Sequence, residues 1–368
     1  MNDRFYLKNV KINSFRGLRD FKIDKFGDVN LVLGDNNSGK TSLLESIYLL
    51  RNNDIYNFLD VAKTRIASNL TLRDIAFMHN FDTKTIDIKA TTLNEDINFY
   101  ATYKIDTISF DRNVYFSNEN KGMTSAIVDN ILKSLVDAIK PDGKQMKQIN
   151  GSVSYNNHNK NYSLIDLDLV ANIQKDMISE NTIAYLSPSA HYKITSNNIS
   201  KIIKNKNYYN ILIELLHLFD PTIEDIIVAS SEDVFGTYGI EIRRKDHVFS
   251  EPISLFGDGL KKAIVLATYL VEAANGILLI DEVETSLHYS LFNDIFSFLI
   301  LAAERFNVQL FVATHNEEAI DAMLNVSDER LESTTLLTLK NDNGKLKYMY
   351  LNGKEAKKYR DNVKMELR

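Results

Sequence analysis

Gly34-Asp35-Asn36-Asn37-Ser38-Gly39-Lys40-Thr41 fills every fixed position of the pattern G-x-x-x-x-G-K-[ST]. Such a glycine turn before a helix gathers backbone N–H groups into one hollow, where phosphate oxygens are held. Lys40 can reach the β- and γ-phosphates of a nucleotide, and the Thr41 hydroxyl can ligate Mg²⁺. A second group of residues stands far downstream. Asp281-Glu282 tips the apolar run Ile277-Leu278-Leu279-Ile280. In phosphate-loop proteins an Asp at such a strand end helps hold Mg²⁺, and Glu282 is placed to polarise the attacking water as a general base. Thr314-His315-Asn316 ends another apolar run, Gln309 to Ala313. The His315 imidazole can hydrogen-bond a γ-phosphate or the attacking water. Gly257-Asp258-Gly259 precedes a helical stretch, and the N–H groups there form a second candidate anion site. Two anion sites in one chain suit ATPases that sandwich nucleotide between two protomers.

These side chains act together only if strands and helices converge. Val29 to Leu33 reads as a buried strand leading into the first loop. Thr41 to Leu50, with Leu43, Leu44, Ile47 and Leu50 on one face, reads as the helix leading out. Gly276 to Ile280 and Val308 to Val312 read as further buried strands, set between helices at Leu260–Ala273 and Leu287–Arg305. Strands that alternate with helices and are apolar on both faces predict a parallel sheet with helices on each side. Elsewhere the pattern predicts strands at Phe5–Phe15, Asp20–Lys25, Thr85–Thr91, Ile97–Ile105 and Asn181–Leu186, and two more within Ile223–Arg243. It predicts helices at Met123–Ile139 and Ile199–Phe219, and a loop or surface hairpin over Lys140–Asn161. The expected fold class is α/β, a phosphate-loop ATPase head with a mixed sheet flanked by helices and a largely helical inserted subdomain. Residues 1–50 and 251–368 would form the core, and 51–250 the rest of the first lobe with an inserted partner region.

Composition narrows the class. The 368 residues, 44% hydrophobic and 25% charged, can bury a sizeable core. No apolar run is long enough for a membrane span, and Met1 to Phe5 lacks the apolar core of a signal peptide. The absence of cysteine excludes disulfides and thiolate metal sites and suits the cytoplasm. A net charge of −6 excludes electrostatic nucleic-acid binding by the whole surface, so any DNA contact needs a local patch. Two basic runs are candidates: Lys201, Lys204, Lys206, Tyr208 and Tyr209, and Lys354, Lys357, Lys358 and Arg360.

In this order the elements resemble ATP-binding-cassette ATPases of the SMC and RecF-like branch. Ile12-Asn13-Ser14-Phe15-Arg16-Gly17 looks like the N-terminal strand signature of that branch. Phe256 to Leu260 stands where those enzymes carry the signature loop, Glu284-Thr285-Ser286-Leu287-His288 looks like the loop after the acidic pair, and His315 matches the switch histidine. The likeness is greatest to OLD-family ATPases and to ATPase subunits of anti-phage systems such as PARIS and Septu. It implies ATP and Mg²⁺ as ligands. Arg16, Gly34, Asn36, Asn37, Ser38, Gly39, Lys40, Thr41, Ser42, Gly257, Asp258 and Gly259 would contact nucleotide. Thr41 and Asp281 would hold the metal, and Glu282, His315 and Lys40 would carry catalysis. It also implies a homodimer or higher homo-oligomer joined through ATP sites, with a separately encoded effector nuclease as partner. A RecF-like DNA-repair ATPase and a nucleotide-gated scaffold are the rival roles. Two departures stand out: Gly257 occupies a position that is usually serine, unless Ser254 supplies that hydroxyl, and none of Gln145, Gln148 and Gln174 marks a glutamine loop. About fifty residues follow His315, without an acidic metal cluster, so no nuclease activity is expected in the chain.

Overall fold

A computed structural model of the chain describes residues 4–52, 83–109, 145–156, 158–165, 181–191, 202–232, 238–245, 247–285, 287–325, 327–342 and 345–363, with a few positions between 57 and 80 and residue 199. The chain opens with a hairpin, β1 (Leu7–Phe15) and β2 (Leu18–Ile23), then enters β3 (Val29–Leu33) and α1 (Lys40–Tyr48). β4 (Thr85–Thr92), β5 (Asp96–Ser109), β6 (Gln145–Tyr155) and β7 (His158–Ile165) extend the hairpin into a six-stranded antiparallel sheet, order β2-β1-β4-β5-β6-β7. After β8 (Ile183–Leu186) and α2 (Lys206–Leu216), a three-stranded sheet forms from β9 (Ile223–Glu232), β10 (Tyr238–Arg244) and β11 (Glu251–Pro252). The last third runs α3 (Asp258–Glu272), β12 (Ile277–Ile280), α4 (Phe292–Phe306), β13 (Gln309–Ala313), α5 (Glu317–Leu324), α6 (Asp328–Glu332), β14 (Thr334–Asp342), β15 (Lys345–Asn352) and α7 (Gly353–Val363).

The second six-stranded sheet is the frame of the site, with order β15-β14-β3-β13-β12-β8. All its pairings are parallel except β14 with β15. Every residue of β3, β12 and β13 is buried, because both faces of this sheet are covered and each face needs apolar side chains. Leu31, Leu33, Leu278, Ile280, Leu310 and Val312 join the core that α3 and α4 close. Val32, Leu279, Phe311 and Ala313 face the other core, shared with α1 and the antiparallel sheet. The buried Gln309 side chain stitches the layers: it accepts from the Leu7 N–H (2.8 Å) and donates to the Leu7 carbonyl (3.0 Å).

The expected α/β class with a mixed sheet stands. Within the insert, the described residues from 83 to 165 are strands rather than helices. Their alternation explains this: Ile86, Ile88 and Ala90, then Ile97, Phe99 and Ala101, are buried on one face while their neighbours are not. The helix expected over Met123–Ile139 lies outside the described residues, as does Gln174. Gln145 and Gln148 sit in β6, and Lys140–Asn161 includes the β6–β7 hairpin. Among the described residues after His315, β14 lies beside β3 and joins the central sheet. Among the described residues, no helix is long and apolar enough to cross a membrane.

Candidate active site

β13 lies between β3 and β12, so the phosphate-type loop, His315 and Asp281-Glu282 emerge at the C-terminal ends of three adjacent parallel strands. Ligands of open α/β sheets gather at such ends. The loop turns directly out of β3. Gly34 has φ +141°, and a Cβ there would lie 2.5 Å from the Leu339 carbonyl oxygen and 2.6 Å from Ser38 Oγ, so only glycine fits. α1 starts at Lys40 with no side-chain cap and no acidic residue in its first turn, which leaves the positive end of its dipole unneutralised. Ser38 Oγ is buried and has no hydrogen-bond partner among the described residues. An orphaned hydroxyl inside this loop fits an oxygen-rich ligand. Asn36 and Asn37 are exposed at the rim, while Thr41 and Ser42 are half-buried in the first turn of α1.

Lys40 is only 7% exposed. Its ammonium donates to the carbonyl oxygens of Gly34 (2.6 Å) and Asp35 (2.9 Å). Burial lowers its pKa, and the carboxylates of Asp281, Glu284, Glu282 and Asp35, in that order, oppose the shift. Three of those four come from the end of β12, so the fold has brought the two distant motifs into one electrostatic field. Asp281 is 1% exposed, and its Oδ2 accepts from the Tyr185 hydroxyl on β8 (3.4 Å). Glu282 adopts φ +52°, a left-handed conformation costly for a side chain of this size. His315 leaves β13 with its backbone N–H on Glu284 Oε1 (3.2 Å) and its Nδ1 3.1 Å from the same oxygen.

The remaining expected residues lie further out. Gly257 precedes α3 in extended backbone with open space around it, and Asp258 is exposed, whereas Gly259 is buried against Leu291 and Phe219. Ser254 is exposed in the turn before them. Arg16 lies against α1, with its guanidinium paired to the fully buried Glu45 (3.2 Å). Of the basic patches, Lys201 is outside the described residues. Tyr208 packs edge-on against Phe306 (5.3 Å), and the Tyr209 hydroxyl bonds Asp225, so these rings face the protein and form no stacking ladder. Arg360 is engaged by Asp321 and Glu317.

Two polar side chains near the site escape motif reading, and for a third, Glu284, the motif names no partner. Glu284 pairs with His315. Lys262, on α3, and His191, after β8, are each 3% exposed. The Lys262 ammonium donates to His191 Nδ1 and to the Thr285 carbonyl (2.9 Å), and His191 Nε2–H donates to the Asp281 carbonyl (2.7 Å). Burial pushes the Lys262 pKa down to about 7. Burial and then the Lys262 charge push that of His191 down to about 4. One signal was present: Lys262 shares a helical row with the buried Leu266 and Leu270.

The donor set suits Mg²⁺ with a triphosphate. The Thr41 hydroxyl and the Asp281 carboxylate are hard oxygen donors, and Mg²⁺ commonly takes only one or two protein carboxylates, completing its shell with phosphates and water. Among the described residues no cluster of three or more His, Asp or Glu exists that could form an all-protein cage.

Strand order, loop and strand-end acids together define the head of a phosphate-loop ATPase. The chain belongs to the family described as AAA ATPase domain, whose model matches residues 6–225. A second AAA-domain model, whose description names the AbiEii toxin and a Type IV TA system, matches residues 182–321. The chain is 28% identical over 359 residues to an ATP/GTP phosphatase of Helicobacter pylori, covering 91% of this chain and 93% of that protein. It is 40% identical over 45 residues to the DNA replication and repair protein RecF of Oenococcus oeni, 12% of each chain. Among solved structures it is similar to an SMC head bound to the C-winged helix domain of ScpA, with TM-score 0.50 and 15% identity over 96% of this chain and 99% of that one. The last likeness bears on the fold alone.

Proposed function

We propose that the chain binds ATP with Mg²⁺ in the Gly34–Thr41 loop and hydrolyses it. The observation that carries this reading is the buried Lys40 ammonium, held on two loop carbonyls within the field of Asp281, Glu282 and Glu284. The loop N–H groups and Lys40 hold the β- and γ-phosphates. Thr41 and Asp281 hold the metal, which when bound neutralises phosphate charge. Glu282 takes the proton of the attacking water, and His315 contacts the γ-phosphate or that water. In this reading the Gly257–Gly259 loop, at the start of α3, closes on the nucleotide of a second copy in a homodimer or larger homo-oligomer. The name of the Helicobacter relative speaks for triphosphate hydrolysis, with ATP and GTP both worth testing.

Nucleotide state then controls a separately encoded effector, a nuclease, in anti-phage defence within the cytoplasm. The family description that names a toxin and a Type IV TA system supports a defence role over housekeeping repair. Glu282→Gln tests the enzymatic core. Removing the general base cuts turnover about 10²–10⁴-fold while ATP binding persists and an ATP-bound dimer accumulates. Unchanged turnover in Glu282→Gln would sink this assignment, and nucleic-acid degradation by the purified chain alone would sink the effector in trans.

A further inference from the structure

The turn that carries Glu282 is held from outside by α3. Its two flanking carbonyls, those of Asp281 and Thr285, are both capped by one buried pair: His191 Nε2–H donates to Asp281 O (2.7 Å), and the Lys262 ammonium donates to Thr285 O (2.9 Å) and to His191 Nδ1. The Asp281 carbonyl fixes the tautomer: it can only accept, so Nε2 carries the hydrogen and Nδ1 is left to accept from Lys262. The turn needs such a brace. Glu282 sits at φ +52°, and a non-glycine residue stays in that region only when its surroundings over-determine it. Backbone bonds also hold the turn: the Thr285 N–H donates to the Glu282 carbonyl (2.9 Å), the Asp281 N–H to Leu186 O (3.0 Å) and the Val283 N–H to Ala313 O (3.3 Å). A lysine 3% exposed is costly to bury, and its place among apolar neighbours on α3 is not what packing alone would select.

From this arrangement we propose that Lys262 and His191 are positioning residues for Glu282. They hold the backbone on both sides of the base so that its carboxylate faces the water that attacks the γ-phosphate. α3 begins at the Gly257–Gly259 loop, and Lys262 lies on its first turns. Any displacement of α3 when that loop meets a second copy therefore moves Lys262, and through Thr285 O and His191 it moves the Glu282 turn. Engagement of the second protomer and the aim of the base are thus mechanically one event. Glu284 joins the same turn to His315, so the brace acts on both groups around the γ-phosphate position. This inference rests on the assignment of Glu282 as general base.

The test compares the full-length chain with Lys262→Met, Glu282→Gln and the double variant. ATP affinity is read by equilibrium titration, turnover by phosphate release, and folding by thermal denaturation. Methionine replaces the buried ammonium by an apolar chain of similar length, and relief of its desolvation offsets part of the cost of leaving Thr285 O and His191 Nδ1 without that donor. A misaimed base lowers kcat by about 10–100-fold while ATP affinity stays within about twofold. Because Lys262 acts through Glu282, the double variant turns over no more slowly than Glu282→Gln alone. Should Lys262→Met not fold, His191→Phe breaks the same brace elsewhere, and the same split between kcat and affinity is expected. A folded variant with wild-type kcat, or losses that multiply in the double variant, overturns the proposal. A wild-type chain without turnover overturns the ATPase reading as well, and the two failures are thereby told apart.

Discussion

Lys40→Met separates what the phosphate loop does for the nucleotide from what it does for the fold. The ammonium donates to Gly34 O (2.6 Å) and Asp35 O (2.9 Å) and is 7% exposed. Two effects on stability oppose each other. Losing the donor leaves loop carbonyls less well satisfied, which costs about 1–3 kcal/mol. Removing a buried charge relieves desolvation, the main cause of the lowered Lys40 pKa, and offsets a comparable amount. The net change in folding free energy is therefore expected within about 1.5 kcal/mol of zero. Nucleotide binding has no such cancellation. A hydrogen bond to a charged group contributes about 1.5–3 kcal/mol, which is about 10–150-fold in affinity. The loss is compounded because Asp281, Glu282 and Glu284 lose the cation that balances them, so the pocket becomes more repulsive to phosphate. The assay is titration with a fluorescent ATP analogue in Mg²⁺, with urea denaturation of the same samples. A folded Lys40→Met protein that binds ATP within about twofold of wild type would refute the placement of the triphosphate in this loop.

Gly34→Ala should lower the denaturation midpoint and weaken ATP binding together, since φ +141° and a 2.5 Å approach to Leu339 O exclude a Cβ; the strain is on the order of 1–3 kcal/mol, and an unchanged melting temperature would contradict it. Gly257→Ser meets open space in ordinary extended backbone. It should fold normally and speed phosphate release by supplying the hydroxyl usual at that position, whereas a slower folded variant would argue against the signature-loop assignment. The His191 pKa is pushed down from 6.5 to about 4. As pH falls, the unfolded chain takes up this proton first, so the stabilisation is complete above pH 6.5 and is lost between there and about pH 4. His191→Phe should flatten that part of the pH–stability curve in urea denaturation, and identical slopes for the two proteins would contradict the buried neutral imidazole.

Local chemistry was legible wherever it is carried by contiguous residues. The Gly34–Thr41 loop, the Asp281-Glu282 pair and His315 each follow an apolar run, and those runs are continuous because the central strands are buried on both faces. β4 and β5 were equally readable, since a sheet with one covered face alternates. The surroundings of the basic and aromatic run near Tyr208 were not legible, for the converse reason. A helix shows which residues are aromatic, but only packing shows that Tyr208 meets Phe306 and Tyr209 meets Asp225.

By itself, then, the sequence determined the class of ligand and the strands that present it, because phosphate binding and two-sided burial are written in neighbouring residues. Tertiary structure alone decided that β13 lies between β3 and β12 and that Glu284 meets His315. It alone decided that a lysine on α3 reaches through His191 to the turn that carries Glu282. The side-chain contacts join residues tens of positions apart, through hydrogen bonds between side chains or from side chains to backbone N–H and C=O groups. Such bonds follow no period along the chain, and they exist only once the layers have packed.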